Sequence, residues 1–370
     1  MYLMLQNKEV LYFDFDDFIV EEINSNLLPY SLREQIRKSS NMRDILHNVQ
    51  IVKEWLAQRV LSLRRSNAKQ LYAMFQIPQR QDIETRLQVC LNCKGVSIID
   101  SYWVKEKETD RFSDVNIRVN SFKEVLDVAL YGYNPTITTN MICPDLTTQG
   151  LFRKAWTRDE NELYLLKSDN TTNNISTKME VLASKILDCF NNKISCVSYS
   201  GRIRNTASGK IYVDKCKNFV DERYSFVEAW ELLEYARNNG ISYIDYFNQF
   251  EHSPDIAVLD YILVNTDRHL QNYGYLMNNK NGNIIGLAPL FDFNCALIAD
   301  YFNRNAEDTI SQMFNSKDTL YDLALRYKNY SRISLNLKKF KDLKTKYKKY
   351  DYIFDKVLER CYKIGIDISQ

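Results

Sequence analysis

From Asp44 the run DILHNVQIVKEWLAQRVL repeats apolar residues at steps of three and four, placing Ile45, Val49, Val52, Leu56 and Val60 on one stripe. That spacing predicts a helix with one buried face. QDIETRLQVCL predicts a second helix, and the β-branched and aromatic run GVSIIDSYWVK, introduced by Gly95, predicts a strand. Residues 151–156 and 162–167 read as two strands joined by the polar turn 157–161, a β-hairpin. SDNTTNNIST holds no apolar cluster and predicts a mobile loop, after which KMEVLASKILDCF resumes helical spacing. KIYVDKC predicts a strand, and SFVEAWELLEYA and DIAVLDYILVN predict helices, the second apolar enough to be buried.

The C-terminal third is helical and increasingly basic: Lys338, Lys339, Lys341, Lys344, Lys346, Lys348 and Lys349 alternate with Leu337, Phe340, Leu343, Tyr347 and Tyr350. A solvated amphipathic face accounts for this pattern, and the arginines 59, 64 and 65 read as a solvated helix end. Because 49 lysines and arginines balance 47 acids over 370 residues, overall charge gives no reason to expect nucleic acid or an anionic membrane as partner. No apolar window reaches the roughly 18 residues of a membrane span, and MYLMLQNKEVLYFDFDD lacks the pattern of a secretion signal. A cytoplasmic protein with reduced thiols is expected. Its eight cysteines include one CxxC, Cys90 and Cys93, but a zinc ribbon needs a second such pair; two incidental thiols at a helix end are expected instead.

Candidate chemistry concentrates behind the apolar run Ile262, Leu263, Val264, in NTDRHLQNYG, and in the later LAPLFDFN. Asp267 precedes Asn272 by five residues, and Asp292 follows a turn and a strand-like segment. Phosphoryl transfer needs hard oxygen ligands for magnesium and one carboxylate left free to orient the attacking hydroxyl. Asp267 suits the free carboxylate, Asn272 and Asp292 the metal; each alone reads more simply as a helix cap, a turn or a loop residue, and it is the three together in this order that point to a site. His269 has no second histidine at ligand spacing and reads as a residue that hydrogen-bonds the loop, with Arg268 also keeping its neighbours in place. Lys167, ending ELYLLK, is placed to meet nucleotide phosphates, and Glu180 on the following helix to hold it. Gly150, with Lys154 after it, could start a phosphate-covering loop, although neither GxGxxG nor a P-loop motif is present.

This order of pieces, an LTTxG loop, a hairpin ending in lysine, a helix with glutamate, then NxDRHxxN and PLFD, resembles the HipA-like serine/threonine kinase family. Its best-known members are toxins of bacterial toxin-antitoxin systems. The resemblance spans about residues 141–300. It implies an α+β, two-lobed protein-kinase-like fold: a mixed, partly helical N-terminal domain (1–140), a nucleotide-binding part like a kinase N-lobe (141–220), and a mostly helical C-lobe with the catalytic loop (221–370). It further implies ATP and Mg²⁺ as cofactors, Asp267 as catalytic base, Asn272 and Asp292 on the metal, and Lys167 on the phosphates. VDKCKNF stands where the hinge would hold adenine, which adds Lys215, Lys217 and Phe219 to the nucleotide-binding set. The substrate is expected to be a protein hydroxyl, with a small-molecule hydroxyl or a non-catalytic pseudokinase as alternatives. Residues 151–154 contain no serine to match the autophosphorylated one of well-known members. The N-terminal helices also differ from the usual small β-rich subdomain. Without a helix-turn-helix, any DNA-binding antitoxin or regulator is expected to be a separate chain.

Overall fold

A computed structural model describes residues 1–369 apart from 39–40, 123, 139–140, 170–171, 192–193, 207–208 and 315–316. It begins with a sheet of which the sequence reading expected only the last strand. Strands β1 (Tyr2–Leu5), β2 (Lys8–Asp14), β3 (Ile19–Glu22) and β4 (Tyr102–Lys105) pair antiparallel in the order β3-β2-β1-β4. The signal was present in YLML, KEVLYFD and IVEE, β-prone runs separated by short polar turns. The N-terminal part is therefore richer in β-structure than its helical stripes suggested.

Helix α1 (Met42–Gln58) starts where the Asn41 side chain accepts from Asp44 N, and it packs on α3 (Ile83–Asn92), with α2 (Ala68–Met74) between them in sequence. Val49, Val52 and Leu56 form its buried stripe. The strand expected over GVSIIDSYWVK shortens to β4, because side chains and another strand take the preceding carbonyls: Arg59 bonds Gly95 O, Arg118 bonds Ile98 O and Asp100 O, and Phe226 N bonds Ile99 O. Arg59 and Arg65 correct the reading of a solvated helix end. Arg59 forms a bidentate pair with Asp100 at 2.8 and 2.9 Å, and Arg65 is buried against Asp145; Arg64 alone of the three is exposed. Cys90 and Cys93 are free thiols buried at the end of α3, and burial pushes Cys90 up to about 12, which leaves it unreactive. Short helices α4 (Phe112–Val115) and α5 (Leu126–Ala129) complete this part.

The hairpin is present with a tighter turn than expected: β5 (Arg153–Asp159) and β6 (Glu162–Ser168) join through Glu160 and Asn161. α6 (Ile175–Leu187) follows, starting earlier than its apolar pattern suggested; part of the expected loop, 170–171, lies outside the described residues. After β7 (Phe190–Asn191) come β8 (Tyr199–Thr206) and β9 (Gly209–Lys217), giving an antiparallel sheet in the order β5-β6-β9-β8 with α6 against β8 and β9.

SFVEAWELLEYA is not one helix. Its first residues belong to β10 (Tyr224–Glu228), whose backbone finds a ladder partner downstream, and α7 (Ala229–Asn238) starts only afterwards. α8 (Tyr243–Asn248) and the buried α9 (Ser253–Ile262) lead to β11 (Gly274–Asn278) and β12 (Ile284–Leu287), which close the sheet β10-β11-β12. The remainder is mostly helical, as expected: α10 (Ile298–Tyr301), α11 (Leu320–Tyr327), α12 (Leu337–Lys346) and α13 (Asp351–Ile364). Strands β13 (Ser334–Asn336) and β14 (Asp367–Ser369) join β7 in a small sheet. The main apolar core runs from Leu3 to Ile364, with smaller clusters around Trp103 and Trp156 and around Phe226. Among the described residues no helix is long and apolar enough to cross a membrane.

Candidate active site

Strand register builds the first half of the site. Lys154 lies opposite Lys167, and Lys167 opposite Asp214, so these three stand side by side on one face of β5, β6 and β9. α6 covers that face and brings Glu180, almost fully buried, to the Lys167 ammonium at 2.8 Å. The same ammonium meets Asp292 Oδ1 at 2.8 Å. Burial disfavours the charge on Lys167, but Asp292 and Glu180 outweigh it and raise its pKa well above the ordinary lysine value. Asp292 moves the opposite way, down to about 2: burial opposes ionisation, and Lys167 and Lys154 overcome it. Both groups are fully charged at neutral pH.

The backbone around Asp292 is held from several sides. Its φ of 58° is left-handed, an arrangement an aspartate tolerates at some cost, and Tyr199 Oη accepts from its amide at 3.1 Å. Phe293 N donates to Glu180 Oε1 at 3.2 Å, tying the DFN segment to α6. Phe291 packs against Phe219 and Phe226, with ring centroids 5.7 and 5.4 Å away.

The loop NTDRHLQN is fixed mainly by Arg268. Buried to 1% exposure, it pairs with Asp260 of α9 at 3.0 Å and donates to the carbonyls of Asn272 and Phe291 at 2.5 and 2.7 Å. One guanidinium thus joins the buried helix, the loop and the segment carrying Asp292. Val264, just before the loop, has φ 47°, a strained value for a β-branched residue, costing on the order of 1–3 kcal/mol. Asn272 Nδ2 donates to Asp267 O at 2.7 Å, which orients the amide and leaves its Oδ1 without a donor among the described residues. His269 Nδ1 accepts from Gln271 N at 3.2 Å within the loop. Burial raises the Asp267 pKa, His269 lowers it, and Asp292 raises it further.

Lys154 is buried yet forms no ion pair among the described residues, and burial lowers it to about 8, helped by Lys167 and Arg65 and opposed by Asp292. Its ammonium lies over Gly150, 2.2 Å from where a Cβ would stand, and Gly150 has φ +106°. A side chain there would meet both the lysine and a strained backbone. The structure therefore gathers Gly150, Lys154, Lys167, Glu180 and Asp292 in one cluster, with Asp267 close enough to feel the Asp292 charge. It does not bring the Lys215 and Lys217 side chains there. They lie on the opposite face of β9, paired with Asp159 at 2.6 Å and Glu162 at 2.8 Å. Phe219 reaches the site's edge through Phe291.

Sequence reasoning missed Asp214, Tyr199, Asp260 and Arg65. Asp214 is fully buried, and neither carboxylate oxygen has a donor among the described residues. Burial, and then the neighbouring Glu180, raise its pKa well above the ordinary value. Its signal was a carboxylate within the strand-like KIYVDKC.

Magnesium usually keeps water and takes one or two protein oxygens along with substrate phosphates. Asn272 Oδ1 and the Asp292 oxygen not used by Lys167 fit that requirement. Among the described residues no group of three His, Cys, Asp or Glu side chains is arranged to hold a metal unaided.

No family model matches the sequence, and no curated protein matches it. Similar solved structures include HipA of Shewanella oneidensis MR-1, from a toxin-antitoxin complex with HipB and operator DNA, at 11% identity and TM-score 0.51, covering 99% of this chain and 97% of that one. Another is the Helicobacter pylori proinflammatory kinase CtkA, at 16% identity and TM-score 0.39, covering 58% of this chain and 90% of that one. The first likeness extends over the whole chain and establishes a fold shared with HipA.

Proposed function

We propose that this chain is an ATP- and Mg²⁺-dependent phosphotransferase with a two-lobed kinase-like fold, moving the γ-phosphoryl group to a serine or threonine hydroxyl of a protein. One observation carries this reading: a buried lysine shared between Glu180 and Asp292, residues 13 and 125 positions further along the chain. Lys167 and the unpaired Lys154 supply cations to the phosphates of ATP, and Gly150 lets backbone approach them. Asn272 and Asp292 hold the metal, which when bound would neutralise charge on the transferring phosphoryl group. Asp267 orients the substrate hydroxyl and accepts its proton, while Arg268 and His269 keep the loop in place.

The fold shared with HipA supports this reading, and that protein's complex with HipB and operator DNA supports a separate regulator chain here. A cytoplasmic site of action belongs to the same proposal. Incubation with labelled ATP and cell lysate is expected to give a labelled protein band with wild type and none with Asp267→Asn, whose melting curve stays unchanged. Equal labelling by that variant would overturn the assignment. Label appearing only in metabolites would instead identify a small-molecule hydroxyl as the acceptor.

A further inference from the structure

The residues between α1 and α2 are bonded to the segment containing Gly150 along its whole length. Leu61 N donates to Leu146 O at 2.7 Å, and Ser66 N to Leu151 O at 3.0 Å. The Gln149 side-chain amide returns the connection, donating to Gln58 O and Val60 O at 2.8 Å each. Arg65, buried to 2% exposure, donates to Asp145 O and Thr148 O at 3.3 Å each and also to Lys154 O. Within the segment, Trp156 Nε1 donates to Thr148 Oγ1 at 2.8 Å, and Thr148 Oγ1 to Pro144 O at 2.7 Å.

These bonds have a direction. The carbonyls of Asp145, Leu146, Thr148, Leu151 and Lys154 are all engaged from the N-terminal side. By contrast, the amides of Gln149, Gly150, Leu151 and Phe152 donate to no protein acceptor among the described residues. These four amides are left to donate elsewhere, and the Lys154 ammonium, in no ion pair among the described residues, lies over Gly150, a donor set that suits an anion. The segment that carries them is held from outside.

We propose that residues 58–66 are a clamp that holds 145–151 in its phosphate-receiving form, with Arg65 and Gln149 as positioning residues; the functional part of this rests on the phosphotransferase reading. The N-terminal domain is then a fixed wall of the nucleotide site. Swinging the segment away breaks the clamp as well as the contacts to phosphate, so control of nucleotide binding passes through the N-terminal domain.

Hydrogen exchange on the full chain, read by mass spectrometry, tests the clamp without reference to activity. Gln149→Ala is expected to accelerate exchange of the Leu61 and Ser66 amides, which donate into the segment, by roughly tenfold and to leave α9 and α13 unchanged. Arg65→Met is expected to do so more strongly, and because its side chain is buried the Gln149 variant guards against a folding defect. In phosphate transfer, Gln149→Ala is expected to raise KM for ATP several-fold with kcat nearly retained, since the segment positions phosphates and touches no proton in flight. Calorimetry with inorganic triphosphate should show the matching loss of affinity. Wild-type exchange in a folded Gln149→Ala would overturn the clamp. Faster exchange with unchanged triphosphate affinity would overturn its positioning role. Failure of wild type to transfer phosphate would count against the kinase reading alone, because exchange and triphosphate binding judge the clamp separately.

Discussion

Lys167 is a residue whose removal would be felt twice. Its ammonium neutralises two carboxylates in a buried site, so Lys167→Met leaves Glu180 and Asp292 without their cation, and breaking such a pair typically costs about 3–5 kcal/mol. Urea denaturation should show a lowered midpoint with an unchanged slope. Asp145 gives a pH prediction. Burial raises its pKa from 3.8 to about 6 against the pull of Arg65, and the ion pair at 3.4 Å does not reverse this. The folded chain therefore holds that proton more tightly than the unfolded chain. This contribution to stability is complete below pH about 4 and is lost as pH rises through about 6, with a total on the order of 3 kcal/mol. Asp145→Asn cannot titrate, so its stability relative to wild type should rise over that window. A flat difference between the two, measured by denaturation at each pH, would count against the buried acid.

At the scale of elements, one side chain, Arg268, ties the loop after α9 to both the helix before it and the segment carrying Asp292. Arg268→Lys keeps a charge near Asp260 but cannot also reach the Asn272 and Phe291 carbonyls in the same fork. Each lost bond to a charged group contributes about 1.5–3 kcal/mol, so the variant should fold with lower stability. It should also transfer phosphate more slowly than its melting loss explains, because Asn272 and the Asp292 segment lose their common support. The NTDRHLQN spacing was readable because it is short and local. Arg268's three partners lie on a helix, in its own loop and beyond a hairpin, and no local pattern announced them. Similarly, KIYVDKC announced a strand, but only pairing with β6 put Asp214 beside Lys167 and turned Lys215 and Lys217 to the other face.

Across the whole molecule the main apolar core, and a smaller cluster around Trp103 and Trp156, join residues on both sides of position 140. The chain should therefore unfold in one calorimetric transition, and residues 1–140 expressed alone should lack a cooperative one. Two separate transitions would show independent domains. ATP with Mg²⁺ should raise the melting temperature by mass action, and Asp292→Asn should reduce that gain.

The sequence by itself determined the elements with strong local periodicity, such as α1, α3, α9 and the β5–β6 hairpin, and the order Lys167, Glu180, Asp267, Asn272, Asp292. Helical and strand periods, turn residues and short spacings act over a few positions, and a reader of the chain can see them. Only tertiary structure decided where GVSIIDSYWVK and SFVEAWELLEYA break, since ladder partners and side chains from distant segments compete for their carbonyls. It also decided that Arg65 is buried and Arg59 half-buried, each against a carboxylate. A basic cluster at a helix end looks solvated until the carboxylates that neutralise it, Asp100 and Asp145, fold back from 41 and 80 residues away.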